Sequence, residues 1–374
     1  MASITKRGSK WQYRVSWRDV DGKQHSKNKS GFRTKTDAAN EARGIEEKLT
    51  QGVDILKSDT LLADFFHEWY TTYCTDLASG TLDRFALYEK ILRKRFPETK
   101  LNEMAALNWQ QFINDYQKTR RKLTVRNLNS AVSRMAAYAV DTGIIFRNFA
   151  SITSIGGDSG PSKENKFLQL DQFTALVEYA KERSGYDNQA AEAIYLAAQT
   201  GMRAGEVLGL SWKDVDFDAG LIRVRHSYTY RTKTFDNPKT VNGIRSIEVT
   251  PALIANLKKY QVQQREYYLS QGIRDSTESV FRNKAGQIIT QVGIRRVLLL
   301  YQTAVGIPDD KRIPFHGLRH THVSYLISKG VDIYYISHRL GHASPAITLR
   351  VYSHLLENHR KQEASRATAA LSQL

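Results

Sequence analysis

Thr200-Gly201-Met202-Arg203-Ala204-Gly205-Glu206 lies between two stretches of different character, and its reading organises the rest of the chain. Upstream, Gln189 to Gln199 is apolar at helical spacing, so Gly201 falls where one helix ends and Arg203 where the next opens. An arginine at a helix start stands beside unpaired backbone N–H groups and is well placed for a phosphate. The plainer reading is an ion pair with Glu206, three residues on. Another helix is expected from about Asp171 to Arg183. Downstream the pattern turns strand-like, at Leu221 to Tyr228 and Ser246 to Val249, before helices resume to the end.

Working toward the N-terminus, Gly156-Gly157-Asp158-Ser159-Gly160-Pro161-Ser162-Lys163 reads as a linker. Between about Asp59 and Ala150 the apolar residues recur at helical period. Leu62, Phe65, Phe66, Trp69 and Tyr70 make one stripe, and Phe85, Tyr88, Leu92 and Phe96 another. Leu107 to Tyr116 and Val125 to Val140 supply two more, and Pro97 breaks the series. A bundle of four or five helices over roughly 90 residues satisfies this pattern. Before it, Trp11, Tyr13, Val15 and Trp17 alternate with Gln12, Arg14 and Ser16, the period of a half-buried strand. Asp21-Gly22 signals a hairpin into a second strand that reaches about Lys29, and Thr36 is expected to cap a helix that buries Ala38, Ala42, Ile45 and Leu49. The expected division is therefore 1–57, 58–155, a linker at 156–166, and 167–374.

Fifty-five Lys and Arg against thirty-eight Asp and Glu leave a formal charge of +17. That sign suits a nucleic-acid backbone, where each neutralised phosphate releases counterions, although a basic protein or an anionic membrane surface would also fit. Residues 1–35 hold ten Lys or Arg against Asp19 and Asp21, so the small sheet becomes a candidate DNA surface through Lys10, Arg14, Arg18, Lys23, Lys27 and Arg33. No apolar run is long enough for a transmembrane helix, and the N-terminus has no signal-peptide core. Cys74 is the one cysteine, which excludes an intrachain disulfide and suggests a reducing cytoplasm.

Three further segments follow Arg203: Asn237-Pro238-Lys239-Thr240 between candidate strands, Pro314-Phe315-His316-Gly317-Leu318-Arg319-His320-Thr321-His322, and Leu340-Gly341-His342 with Tyr352 ten residues on. Singly each has an ordinary explanation. Together and in this order they resemble the tyrosine recombinase (phage integrase) family, marked by an Arg in T-G-x-R-x-G-E, a hairpin Lys, H-x-x-R, L-G-H and a C-terminal Tyr. Those positions fall on Arg203, Lys239, His316, Arg319, His342 and Tyr352. Tyr334 and Tyr335 precede His342 and are out of order.

The resemblance implies a multidomain, mainly α protein with small β-sheets. It would comprise a three-stranded sheet plus helix that binds arm-type DNA, a helical core-binding domain, and an α+β catalytic domain. It also implies a site-specific recombinase that cuts and rejoins attachment sites through a 3′-phosphotyrosine, without metal or other cofactor. Arg203 and Arg319 would hold the non-bridging oxygens as charge grows on them. Tyr352 would attack, with His316 as its base, Lys239 as the acid for the leaving 5′ oxygen, and His342 orienting the phosphate. Double-stranded DNA, a homotetramer on it, an excisionase and a host DNA-bending protein are the implied partners, in a bacterial cytoplasm at the nucleoid. The Ala367–Leu371 stretch reads equally as a contact between neighbouring protomers or as a frayed terminus.

Other readings are weaker. His316, His320 and His322 cluster, and His338 and His342 are four apart, but neither Cys nor H-E-x-x-H accompanies them, so zinc is disfavoured. His320 and His322 are expected merely to pack near the site. A non-catalytic DNA-binding regulator would share the charge without needing six catalytic positions. A type IB topoisomerase would share the chemistry without an arm-binding module.

Overall fold

The computed structural model describes residues 2–18, 22–50, 52, 54–77, 79–158, 167–237, 241–274, 278–349, 352, 368, 371 and 372. Two compact units form, Met1–Gly160 and Pro161–Leu374.

The first unit opens with an antiparallel sheet of β1 (Ser3–Arg7), β2 (Lys10–Arg18) and β3 (Gln24–Phe32), in that order. The alternation along β2 does what its period requires. Tyr13 and Val15 are buried against α1 (Lys35–Thr50), while Lys10, Arg14 and Arg18 are exposed. The helix begins one residue before the expected cap. The hydroxyl accepting a first-turn N–H is that of Thr34, from Asp37 at 3.1 Å, so Thr36 lies inside the helix. In the expected hairpin turn Asp21 is outside the described residues; Gly22 has φ +79°, which the left-handed region reserves for glycine.

A short α2 (Ile55–Ser58) leads to α3 (Leu62–Tyr73), α4 (Ser79–Arg95), α5 (Ala106–Gln117) and α6 (Lys122–Asp141). Their apolar stripes meet in one core around Phe66, Leu92, Trp109, Leu128 and Met135, all nearly inaccessible. The indole N–H of Trp109 donates to Asn129 Oδ1 at 2.7 Å, so its burial leaves no polar debt.

The second unit is built around α8 (Gln189–Thr200), which α7 (Leu170–Glu182), α11 (Gln291–Ala304) and α12 (Phe315–Ser328) cover. Its run of small residues, Ala191, Ala193, Ala197 and Ala198, lets three neighbours approach, and these alanines are all buried. After α9 (Ala204–Leu208) the chain forms a sheet of β4 (Val215–Asp216), β5 (Leu221–Val224) and β8 (Arg245–Glu248), with a hairpin of β6 (Ser227–Thr229) and β7 (Thr234–Asp236) beside it. The strand expected over Leu221–Tyr228 is thus two strands in two sheets. The second of them, β6, lies against Gly205 of α9 and Gly209 just beyond that helix. A Cβ on Gly205 would meet the Ser227 hydroxyl at 2.4 Å, and one on Gly209 would meet Tyr228 N at 2.9 Å. The unit continues with α10 (Pro251–Ser270), which precedes α11, and with α13 (Ile333–Leu340) after α12. Among the described residues no helix is long and apolar enough to cross a membrane.

Candidate active site

Two helices of the second unit end on left-handed glycines, Gly201 after α8 (φ +69°) and Gly341 after α13 (φ +68°). Each cap returns its N–H to a carbonyl of the preceding turn, but the final carbonyls at the negative dipole end still need partners. Arg319, buried in α12, fills both ends. Its Nη1 donates to Gly201 O at 2.8 Å and its Nη2 to Leu340 O at 2.7 Å. The guanidinium is therefore fixed before any ligand arrives. Neither glycine tolerates a side chain, since a Cβ at 201 would lie 2.8 Å from His322 Cδ2 and one at 341 would lie 2.5 Å from Asn242 O.

Arg203 caps α9 from the N-terminal side, and its backbone N–H donates to Glu206 Oε2 at 2.8 Å. Its Nη1 reaches Glu206 Oε1 at 2.7 Å, the plainer of the two sequence readings, yet its side chain stays 42% exposed and open to a ligand. Glu206 also receives two N–H groups of Arg245, whose side chain is 1% exposed. Burial by itself would raise the Glu206 carboxyl, but these bonds from Arg245 and the Arg203 amide bring it down to about 2. Arg245 completes its set with Arg339 O and Gly243 O. Arg339 in turn binds Glu248 O, Gln199 O and the His322 ring. His322 is fully engaged between Ala198 O and Arg339, and burial followed by the Arg339 charge depresses its pKa to about 3.

His316 is exposed on α12, and desolvation with the charges of Arg319 and Arg203 holds its pKa below the ordinary value. His342 lies just past the α13 cap with Nδ1 2.7 Å from Thr348 Oγ1. Burial, then Arg319, Arg203 and Arg245, lower it to about 4, so it is neutral at pH 7. Tyr352 is buried, and burial outweighs the opposing charge of Arg319 to push its hydroxyl above the usual phenol range. The hydroxyl pairs with His320 Nδ1 at 2.5 Å, not with His316. Arg203, His316, Arg319, His342 and Tyr352 thus form one electrostatically connected group, while Lys239 lies outside the described residues. Among the described residues no three of His, Cys, Asp and Glu form a metal-holding group.

In the N-terminal sheet Lys10, Arg14, Arg18, Lys23 and Arg33 are exposed. Lys27 is not on the open face. It pairs across the strands with Val15, on the α1 side, and its ammonium bonds Asp59 at 2.5 Å.

Fixed guanidiniums, a neutral imidazole and a buried tyrosine are groups that can serve transfer at a phosphoryl centre. The sequence matches the phage integrase family over residues 166–359 and an arm DNA-binding domain over residues 2–49. It is 27% identical over 379 residues to a tyrosine recombinase XerC-like protein of Caldanaerobacter subterraneus, covering 95% of each chain. It is 30% identical over 247 residues to the ICEBs1 integrase of Bacillus subtilis, 65% of this chain and 64% of that one. A Tn1549 transposon integrase bound to transposon right-end DNA shares the fold, with TM-score 0.68, 19% identity and coverage of 82% and 99%. A lambda integrase dimer on a core site does so at TM-score 0.56, with 18% identity and 93% of each chain covered. The chain belongs to the phage integrase family and is a DNA-binding, site-specific tyrosine recombinase.

Proposed function

We propose that this recombinase integrates and excises a mobile element, with Tyr352 as nucleophile and Arg203 and Arg319 as the phosphate clamp. The observation that carries the reading is the buried Tyr352 hydroxyl set in the field of an Arg319 already anchored by two helix ends. A guanidinium held in place spends nothing on reorganisation as charge develops on the non-bridging oxygens. His316, expected as the base, is not the imidazole on the Tyr352 hydroxyl, and it joins His342 in donating to the phosphate, while Lys239 protonates the leaving 5′ oxygen. The intermediate is a 3′-phosphotyrosine.

Residues 1–57 read arm-type sites through the open face of the sheet, where Arg14 stands between Ser3 and Asn28. Residues 58–155 and 167–374, joined by the 156–166 linker, grip and cut the core site. Four protomers assemble on two duplexes, because recombination requires four strand cuts. An excisionase and a host DNA-bending protein set direction, and the protein works at the nucleoid in a bacterial cytoplasm. The test is a nicked core duplex that traps covalent product. The wild-type chain gives a protein–DNA adduct, and Tyr352→Phe binds the same duplex without one. Adduct formation by the Phe variant would remove Tyr352 from its role.

A further inference from the structure

The hydroxyl of Tyr352 meets an imidazole outside the six motif positions. His320 Nδ1 lies 2.5 Å from the Tyr352 oxygen, with ring centroids 5.8 Å apart. His320 follows His316 by one turn of α12, and the two imidazoles meet edge to face at 5.0 Å. We propose that His320 is the general base of strand cleavage, taking the Tyr352 proton as the tyrosine oxygen attacks phosphorus. The inference rests on Tyr352 being the nucleophile.

The physical case starts from burial. A free phenol titrates near 10. In this pocket burial raises it further, and Arg319 opposes that shift without overcoming it. The oxygen is therefore protonated at rest, and its proton must leave as the O–P bond forms. A base acts only from hydrogen-bond reach, and among the described residues the group in reach is His320. Neutral imidazole with its proton on Nε2 presents Nδ1 as the acceptor. His320 packs against His316 and Tyr352, and His342 feels its charge.

The step balances. The Tyr352 O–H bond breaks and its proton goes to His320 Nδ1, the tyrosine O–P bond forms, and the P–O5′ bond breaks with a proton supplied by Lys239. On rejoining, the 5′ hydroxyl attacks phosphorus and gives its proton back to Lys239, the tyrosine O–P bond breaks, and the imidazolium returns its proton to the tyrosine oxygen. No proton is gained or lost over the cycle. The sequence missed this residue because H-x-x-R assigns the first histidine, and His320 reads as the next turn of a packed helix. The available signal was its spacing: four residues from His316 puts both rings on one helix face.

The experiment is single-turnover adduct formation on a nicked core duplex across pH, for wild type, His320→Ala, His320→Asn, His316→Ala and Tyr352→Phe. His320→Ala should bind DNA as wild type does, cleave 10²–10⁴-fold more slowly, and lose the acid-side limb of the rate profile. His320→Asn preserves a side-chain hydrogen bond but cannot take a proton, so it should be as slow as the Ala variant. With sulfur in place of the bridging 5′ oxygen the leaving group needs no proton, and His320→Ala should remain slow. Recovery in the Asn variant would make His320 a positioning residue only, and recovery on the sulfur substrate would make it part of the acid step. A faster His320→Ala would mean that the contact restrains the nucleophile. Any of these, or loss of the acid limb in His316→Ala alone, overturns the proposal. An adduct from Tyr352→Phe would instead defeat the nucleophile assignment.

Discussion

The two ends of this chain use the same charge in opposite ways. In the N-terminal sheet Lys10, Arg14 and Arg18 stand exposed on a strand whose other face is core. In the second unit Arg245, Arg319 and Arg339 are buried, each bonded to backbone carbonyls. Exposed cations gain affinity from counterion release, and many arrangements of them serve equally well. Buried ones are costly to desolvate and are kept only where hydrogen bonds repay them, which fixes their geometry. The first arrangement suits holding DNA, the second suits acting on one phosphate.

The contrast breaks first at Arg319. Arg319→Ala should slow covalent adduct formation by two to three orders of magnitude while changing the affinity for a core duplex only slightly. A fall in affinity matching the fall in rate would make Arg319 another anchoring cation. Next is the buried pair below it. Glu206→Gln leaves Arg245 with its charge uncompensated and should cost about 3–5 kcal/mol at neutral pH, measured by urea unfolding. Because the folded Glu206 titrates near 2 against an ordinary 4.5, its stabilising share is complete above the ordinary value and is lost as pH falls toward 2. Wild-type stability should therefore decline through that window, and the Gln variant should lack that part of the slope. An identical acid profile in both would show that the pair does not govern acid stability. The smallest effect lies in the sheet. Arg14→Ala should weaken arm-site binding and reduce the salt slope of log K by about 1, with core cleavage intact. Lys27→Ala, which loses only the Asp59 partner, should leave that slope unchanged.

Much of this was legible because periodicity reports burial directly. The stripe Leu62, Phe65, Phe66, Trp69 and Tyr70 is buried as its spacing requires, and Gly201 and Arg203 stand at the helix end and start where they were expected. What escaped depends on pairing across distance. Lys27 looked like its neighbours in composition, and only strand register, which sets it opposite Val15, turns it to the covered face. Arg245 and Glu206, 39 positions apart, carry no local signature of their ion pair. The expected strand over Leu221–Tyr228 divides, and its second part lies against Gly205 of α9 and Gly209 just beyond that helix.

The clamp on Arg319 also bears on how much of the chain must be in place before the site exists. Its two carbonyl partners lie 118 and 21 positions away, and Arg339 reaches Gln199 across 140. Contacts of such separation form late, after the entropy of closing long loops has been met. A chain still emerging from the ribosome, or one partly unfolded, holds the arginines and the tyrosine but not their arrangement. The catalytic arrangement therefore depends on the second unit being folded across its length.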